Sequence, residues 1–471
     1  MSDNRGAGRG TDLARSELVF AVAAFAVLCA AVLRVAPQLV EPDDYAYRAS
    51  IVAVTDGHFL TLSTSQVRAL AAQLTPSAGP GQQVLARPGP LGGSIEQWVQ
   101  LSSGQWISEK DPGYPFLAAP FQALGIIRLA PLFFGALGCL GLFLGGRRWL
   151  GRFGGAAAVG LFCSSGAALL FAWRDYMPTF TEAALIAAGT GALLWAVLAE
   201  EVAARRRTVI GLLGFLAIEA ATFVRYTNIA VLGCAVAAVL AVRRLRAASM
   251  PRGALWWWLG SVALFGTGVA VFDDVAYGGP LRSGYQPGEI TFGADAIMPN
   301  LRSMPAHLIQ AMPVLIFGLA GVTWIAVRWV QLRRADGEKA GPAHRDFAVS
   351  LALAASWFSV WGLYAAYTWT TQPGLSTLQA ARFYLPAIGA IALLGAWLLA
   401  RVRHLVRAPG RASLMAVTSA AAVVALFGLG VWSFNDMVNS RDPGSPPAHS
   451  GAPVTSSQPS GPAVIGSGAP K

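Results

Sequence analysis

Long apolar segments with few charges recur along this chain and limit the folds open to it. About 20 apolar residues in a helix cross a hydrocarbon core about 30 Å thick. Of the 471 residues, 55% are hydrophobic and 13% are charged, whereas soluble domains carry about 25% charged residues. The sequence therefore predicts an all-α polytopic membrane protein of about eleven transmembrane helices. The predicted spans are residues 18–36, 114–145, 155–172, 178–199, 208–224, 227–242, 254–272, 305–330, 347–369, 382–400 and 413–433.

The positive charges between these segments predict the sidedness of the loops. Loops on the cytoplasmic side are enriched in Lys and Arg. With the N-terminus inside, most of the 35 basic residues fall in short cytoplasmic segments, whereas the long loop 37–112 has few. We therefore expect a cytoplasmic N-terminus and an extracytoplasmic C-terminus. Lys occupies three positions beside abundant Arg, Ala and Gly, which is typical of GC-rich bacterial genomes and favours a bacterial cytoplasmic membrane.

The domain organisation follows from the same pattern. Residues 1–17 are polar and read as a flexible cytoplasmic tail, and residues 18–434 form the transmembrane domain, whose first span is a retained anchor. Within the first extracytoplasmic loop, 37–112, the sequence predicts a short amphipathic helix over 44–59 and irregular structure over the Gly- and Pro-rich stretch 76–90. The Pro-, Ser- and Gly-rich tail 435–471 is predicted to be disordered on the outer side.

A cluster of carboxylates follows the first span. Glu41, Asp43 and Asp44 place three like charges at the membrane surface, where they should face water, a cation or a substrate. Carboxylates beside Arg and Lys suit a reaction in which a base takes a proton and cations stabilise a departing phosphate. The other polar groups predicted on this side include Lys110, Asp111, Arg174, Asp175, Tyr176, Arg225, Tyr226, Asp273, Asp274, Tyr277, Arg382 and Tyr384.

Several of these residues also have a structural interpretation. Arg225 could anchor a helix end at the interface, and Arg174 with Asp175 could form a solvated local pair. Glu182 and Glu219 lie inside predicted spans and need partners. The net charge of +11 does not indicate nucleic-acid binding, because the basic residues lie in short clusters between apolar segments and do not share one face.

Five motifs occur in a set order along the chain. They are Asp43-Asp44-Tyr45-Ala46-Tyr47, Lys110-Asp111-Pro112-Gly113-Tyr114-Pro115, Ile127-Arg128-Leu129-Ala130-Pro131, Tyr277-Gly278-Gly279-Pro280-Leu281-Arg282-Ser283-Gly284-Tyr285 and Arg382-Phe383-Tyr384-Leu385-Pro386. Together they resemble the GT-C superfamily of membrane glycosyltransferases, which includes protein O-mannosyltransferases and the lipid A aminoarabinose transferase. The resemblance covers most of residues 15–400. Two motifs depart from the family pattern. The fourth has one residue fewer before its proline than the family pattern has, and the fifth has one inserted residue.

The resemblance implies a GT-C-like helix bundle whose long first loop carries short interfacial helices. It also implies transfer of a sugar, with inversion, from a polyprenyl-phosphate donor to a protein, polysaccharide or glycolipid acceptor outside the cytoplasm. By that resemblance Asp43 is the general base, and Asp44 and Asp175 shape the acceptor and sugar site. The sequence leaves open whether Asp44 is the base instead. Lys110 and Arg382 would hold the lipid phosphate, with Tyr384 beside them. The remaining expected substrate-binding residues are Tyr47, Arg174, Arg225 and Tyr285.

Two points stay open in the sequence. The resemblance leaves a divalent cation between the carboxylates open, although many relatives with monophosphate donors need none, so we predict no metal ligand. The alternative functions are a transporter or flippase, which would use Glu182, Glu219 and arginines along a pathway, and a non-catalytic binder of a lipid-linked sugar. No internal repeat of the kind common in transporters is visible, and the long early loop suits an enzyme.

Overall fold

The computed structural model describes most of the chain. The described residues are 5–37, 42–58, 61–74, 97–101, 103–244, 250–251, 253–285, 290–334, 341–371, 380–405 and 412–439. The predicted irregular stretch 76–90 lies outside them, as does the C-terminal tail from residue 440.

Fifteen α-helices make up most of the described structure. They are α1 (Arg5–Leu33), α2 (Pro42–Thr55), α3 (Thr64–Leu74), α4 (Gly113–Ala123), α5 (Leu129–Cys163), α6 (Gly166–Trp173), α7 (Thr179–Leu198), α8 (Ala204–Val224), α9 (Ile229–Arg244), α10 (Ala254–Tyr277), α11 (Ala294–Ala311), α12 (Leu315–Arg334), α13 (Gly341–Ala365), α14 (Ile388–Leu405) and α15 (Ala412–Asn439). Short 3₁₀ turns cover Tyr226–Asn228, Thr368–Thr371 and Leu385–Ala387.

The chain is a multi-pass membrane protein. Within the described residues, eight helices are long and apolar enough to cross a membrane, or nine if α11 and α12, which meet at 111°, count as one bent span. In the apolar 18-residue stretches of α7 and α14, 72% and 78% of the stretch is buried inside the protein, against 6% in α10. The bundle therefore has α7 and α14 at its centre, while α10 turns most of its surface to lipid. The predicted total of eleven spans stays a prediction.

Helix α5 reverses direction at Gly151. This residue has φ 81° and ψ −178°, outside the helical region, and a glycine populates positive φ at little cost. The Sγ atoms of Cys139 and Cys163 lie 3.6 Å apart, whereas a straight helix would separate them by about 1.5 Å per residue. The two halves of α5 are therefore antiparallel legs. After a break at Ser164 and Ser165, α6 continues the second leg.

The start of α1 differs from the sequence-based expectation. Residues 5–17 belong to the helix that continues into the first span, although the sequence predicted a flexible tail there. Extending an existing helix needs no new nucleus, and Ala, Leu and Arg in this stretch are good helix formers. The apolar part of the helix, Ser16–Leu33, nearly coincides with the predicted first span.

Polar contacts mark one end of the bundle, which we call the inner end in keeping with the predicted topology. Asp346, at the start of α13, accepts hydrogen bonds from Nε1–H of Trp149 (3.0 Å) and of Trp397 (3.3 Å). It also pairs with Arg401 near the end of α14. These contacts tie α5, α13 and α14 together close to the reversal at Gly151.

The outer end carries a small subdomain built from α2, α3 and three strands. The strands are β1 (Thr61–Leu62), β2 (Trp98–Gln100) and β3 (Trp106–Ser108). They form an antiparallel sheet in the order β1-β3-β2, in which Ile107 pairs with both Thr61 and Val99. The sequence predicted short interfacial helices in this loop, which α2 and α3 supply. It did not predict the sheet.

Candidate active site

Three side chains surround the carboxylate of Asp43, in the first turn of α2. Lys110 Nζ lies 3.2 Å from Oδ1 of Asp43, and Arg382 Nη1 lies 2.9 Å from its Oδ2. Gln97 Nε2 donates a hydrogen bond of 2.8 Å to Oδ1. Asp43 thus lies between two cations that reach it from distant parts of the chain, and we call these four residues the Asp43 centre.

Lys110 is positioned by the short link between β3 and α4. Its backbone N–H donates to Ser108 Oγ, and its ammonium group donates to Tyr285 Oη at 3.3 Å. The loop that bears Tyr285 passes close to this link, because a Cβ on Gly284 would lie 2.3 Å from the Cα of Glu109. Only a glycine permits this approach, which explains why Tyr285 can reach Lys110.

Arg382 lies between α13 and α14 with its guanidinium over two aromatic rings. Its Cζ is 4.7 Å from the ring centroid of Trp369 and 4.6 Å from that of Phe383. Stacking of this kind stabilises an arginine by about 0.5–2 kcal/mol and fixes its plane. The aromatic rings therefore hold Arg382 in the orientation in which it meets Asp43.

Asp44 makes a different contact from its neighbour Asp43. It is buried and receives two hydrogen bonds from Arg174, one from Nε at 3.2 Å and one from Nη2 at 2.6 Å. The two side chains are at most 1% exposed. This buried bidentate pair joins α2 to the loop between α6 and α7. The structure thus brings the predicted Asp44 and Arg174 together, but in a contact with each other.

Arg225 also forms a buried ion pair. Its Nη1 lies 2.9 Å from Glu182 Oε1, and Asn228 donates a hydrogen bond of 2.7 Å to the other carboxylate oxygen. The same guanidinium reaches the backbone carbonyl of Arg382 at 3.4 Å. Arg225 therefore links α7 to the segment that carries Arg382, which is more than the interface anchoring that the sequence also allowed.

Burial and nearby charges set the protonation of the outer groups. Burial disfavours ionised Asp43, yet Lys110 and Arg382 outweigh it and hold the pKa of this carboxyl well below its usual range. Burial by itself lowers the pKa of Lys110, but the Asp43 and Glu109 carboxylates raise it above its ordinary value. Asp43 and Lys110 are therefore both charged near neutral pH.

Two other carboxyl groups titrate near neutrality. Burial raises the pKa of Asp111 to about 7, although Arg225 and Lys110 act in the opposite direction. Burial also raises the pKa of Asp175 to about 7, against the effect of Arg128. Asp111 follows Lys110 directly and accepts a hydrogen bond from the backbone of Tyr226. It belongs to the surroundings of the Asp43 centre. The sequence placed it among the outer polar groups but assigned it no catalytic or binding role.

The remaining predicted residues lie around this centre or beside it. Tyr47 is buried, meets Tyr114 edge-on at 6.0 Å, and lies within electrostatic range of Asp111, Arg225 and Lys110. Tyr384, two residues after Arg382 on the same segment, packs edge-on against Trp361 at 5.6 Å in an aromatic cluster. Tyr47 thus lies near the charged groups, whereas Tyr384 mainly contacts aromatic rings.

Gln97 was missed by sequence reasoning. Among the described residues it is the one non-glycine residue with a positive φ, 62°. A left-handed conformation costs such a residue about 1–2 kcal/mol. Neither the isolated glutamine nor its neighbours form a pattern that predicts this conformation, so its contact with Asp43 was not visible in the sequence.

The carboxylates do not converge in a way that fits a divalent cation. Asp43 contacts Lys110 and Arg382, while Asp44 contacts Arg174. In the part of the chain that the structure describes, no group of three His, Cys, Asp or Glu side chains is arranged to hold a metal ion. A cation between Asp43 and Asp44 would first have to displace these three basic groups.

Solved structures share this fold. The chain is similar to the apo oligosaccharyltransferase of Archaeoglobus fulgidus, with a TM-score of 0.50 and 13% identity over 89% of this chain and 56% of that chain. It is also similar to ArnT from Cupriavidus metallidurans bound to undecaprenyl phosphate, with a TM-score of 0.47 and 13% identity over 89% of this chain and 69% of that chain. No protein-family model matches the sequence, and no curated protein does.

The similarity to the oligosaccharyltransferase shows the fold of this chain. The all-α GT-C fold that the sequence motifs predicted is confirmed. The chain spans little more than half the length of the archaeal oligosaccharyltransferase. At this identity the similarity establishes the architecture, and what the outer site does has to be argued from its own residues.

Proposed function

We propose that this protein is a membrane glycosyltransferase that takes a sugar from a polyprenyl-phosphate donor. The sugar passes, with inversion, to a hydroxyl group of an extracytoplasmic protein, polysaccharide or glycolipid. The observation that carries the proposal is the meeting of Lys110 and Arg382 on the single carboxylate of Asp43. The arrangement joins a proton acceptor to two groups that bind phosphate.

The reaction can be written with the groups of the Asp43 centre. The acceptor oxygen attacks the anomeric carbon of the donor, and its proton passes to the Asp43 carboxylate. The bond between the anomeric carbon and the phosphate oxygen breaks, and the polyprenyl phosphate leaves with the bonding electrons. Lys110 and Arg382 stabilise the charge that develops on the leaving phosphate. Attack opposite the leaving group inverts the anomeric configuration.

Donor binding would also activate the base. In the free protein, the cations proposed to bind phosphate hold the pKa of Asp43 well below its usual range, although burial favours its protonated form. A carboxylate stabilised in this way is a weak base. When the donor phosphate binds Lys110 and Arg382, it competes with Asp43 for them, and Asp43 becomes more basic. Proton transfer from the acceptor is therefore favoured only after the donor is in place.

The buried ion pairs suit a supporting role. Asp44 with Arg174 and Glu182 with Arg225 are closed contacts between helices and loops around the Asp43 centre. Breaking such a pair leaves an uncompensated buried charge, which costs about 3–5 kcal/mol. We therefore assign the base to Asp43, and the predicted alternative, Asp44, to positioning α2. Tyr285 contacts Lys110, whereas Asp175 lies within electrostatic range of Asp44.

A transporter or flippase is less well supported. The two acidic residues that could have lined a pathway within the spans both have partners. Glu182 is held by Arg225 and Asn228, and Glu219 accepts a hydrogen bond of 2.8 Å from Ser261. Because both acids already have hydrogen-bond or ion-pair partners, a structural role accounts for them without a transport pathway.

A transfer assay tests the proposal. Lipid-reconstituted protein is given a panel of polyprenyl-phosphate sugars with three acceptors, namely a threonine-containing peptide, an alkyl glycoside and a glycolipid extract. Release of polyprenyl phosphate, with a product of inverted anomeric configuration, supports the proposal. Donor binding without release indicates the non-catalytic binder, and donor movement between leaflets without release indicates a flippase.

A further inference from the structure

The amide of Gln97 has one orientation that its surroundings permit. Its partner is the carboxylate of Asp43, 2.8 Å away, and an ionised carboxylate only accepts hydrogen bonds. The Nε2 group must therefore face Asp43. This leaves the amide oxygen, Oε1, beside the base and available to accept another hydrogen bond.

The Oε1 atom of Gln97 is buried and has no hydrogen-bond partner in the part of the chain that the structure describes. A buried acceptor that lacks a donor carries a desolvation penalty. Water can serve it in the free protein, and a ligand group that reproduces the same hydrogen bond can take the place of that water. The position of Oε1 next to the base points to the ligand group that would do so.

The backbone of Gln97 supports a functional reason for this side chain. Its φ of 62° lies in the region that glycine occupies without strain. The conformation is held because the backbone N–H of Glu109 donates to the carbonyl oxygen of Gln97 at 3.0 Å, next to Lys110. Residues with a strained backbone of this kind cluster at functional sites. Here a backbone conformation that favours glycine carries a glutamine, whose side chain reaches the base.

We infer that Gln97 is a specificity-determining residue that binds the acceptor. Its amide oxygen accepts a hydrogen bond from a second hydroxyl of the acceptor, beside the hydroxyl that attacks the donor. Its amide nitrogen meanwhile keeps Asp43 in line with the attacking hydroxyl. The attacking hydroxyl has a single proton, which goes to Asp43, so the group bound by Gln97 must be a neighbouring one. The preferred acceptor therefore carries a vicinal pair of hydroxyls. This inference rests on the proposed glycosyl transfer.

The test compares two acceptors that differ in that one group, 1,2-octanediol and 1-octanol. The full-length protein is assayed in lipid with the donor that it turns over. We expect wild type to have at least a tenfold higher kcat/KM for the diol, and Gln97→Met to lose most of this preference while the donor KM stays unchanged. Gln97→Gly also removes the side chain, and a glycine adopts the positive φ of this position without strain. If Gln97→Met folds poorly, Gln97→Gly should show the same loss of preference for the diol.

Gln100→Met is the matched control, because Gln100 lies at the end of β2, three residues after Gln97, and its side chain donates to the exposed Gly104 carbonyl. It should keep the preference for the diol. Equal activity of wild type on the two acceptors would overturn the inference and leave glycosyl transfer intact. A preference for the diol that stays unchanged in Gln97→Met and Gln97→Gly would also overturn the inference and leave glycosyl transfer intact. Failure of wild type to transfer from any donor to any acceptor would overturn the proposed function and this inference together.

Discussion

Arg382 follows Asp43 by 339 residues, and its Nη1 lies 2.9 Å from Oδ2 of Asp43. The contact joins α2, at the start of the first outer loop, to the segment that enters α14. Lys110 completes the arrangement from the end of the same loop. Three parts of the chain that the sequence motifs marked separately therefore meet at one carboxylate.

The first prediction separates the roles of the two neighbouring aspartates. Asp44→Asn should destabilise the protein by about 3–5 kcal/mol, because it leaves Arg174 buried without its partner charge. Asp43→Asn should lose transfer, and it should lose less stability than Asp44→Asn, because the Asp43 side chain is 19% exposed and water can partly replace it beside Lys110 and Arg382. Thermal unfolding in detergent and the transfer rate per folded molecule measure the two effects.

The double variant Asp44→Asn with Arg174→Met serves as its control. Removing both members of a buried pair costs less than removing one, so the double variant should regain much of the lost stability. Transfer by folded Asp43→Asn at the wild-type rate would show that the base is another residue.

The second prediction concerns Arg382. Arg382→Lys keeps the charge but loses the planar group that stacks on Trp369 and Phe383, which stabilises the arginine by about 0.5–2 kcal/mol. The donor KM should rise about tenfold, since 1.4 kcal/mol corresponds to a factor of ten. Arg302→Lys, on the exposed side of α11, should leave the donor KM unchanged. An equal rise in both variants would argue against a phosphate contact at Arg382.

The third prediction is a pH dependence of stability that originates at Asp111. Its pKa is raised by burial to about 7 in the folded protein, against about 3.9 in an unfolded chain. Between these values the folded state holds a proton that the unfolded state releases, so the free energy of unfolding falls as pH rises from about 4 to 7. This contribution is complete below pH 4 and is lost above pH 7.

Asp111→Asn has no proton to lose at this position, so its stability relative to wild type should increase between pH 5 and pH 8. Thermal unfolding at the two pH values measures this change. Asp56→Asn, at an exposed position after α2, should show the same pH dependence as wild type. A constant difference between Asp111→Asn and wild type would refute the assignment.

The fourth prediction concerns the inner end. Asp346→Ala removes the acceptor for Trp149, Trp397 and Arg401, and buried donors without a partner cost about 1–3 kcal/mol each. We expect a loss of roughly 3 kcal/mol, with unchanged transfer per folded molecule because the Asp43 centre lies at the opposite end. Glu201→Ala breaks the exposed pair with Arg148 and should change stability by no more than about 1 kcal/mol. Lost transfer in folded Asp346→Ala would contradict this separation of the two ends.

The sequence predicted the fold and most of the Asp43 centre for identifiable reasons. Apolar length marks membrane helices, and the motifs marked Asp43, Lys110 and Arg382. It could not decide between Asp43 and Asp44, because adjacent residues on a helix point about 100° apart and only the packing of α2 shows which one meets Arg174. The three strands were missed because two or three residues are too few for an alternating pattern. Gln97 was missed because its role depends on one backbone angle.

The most direct test of the central claim measures binding and turnover together in Asp43→Asn. If Lys110 and Arg382 hold the donor phosphate and Asp43 is the base, the variant should release no polyprenyl phosphate from a donor that wild type uses. It should nevertheless bind polyprenyl phosphate at least as tightly as wild type, because the two cations no longer have a competing carboxylate. Persistent transfer by Asp43→Asn, or loss of binding together with loss of turnover, would contradict the account.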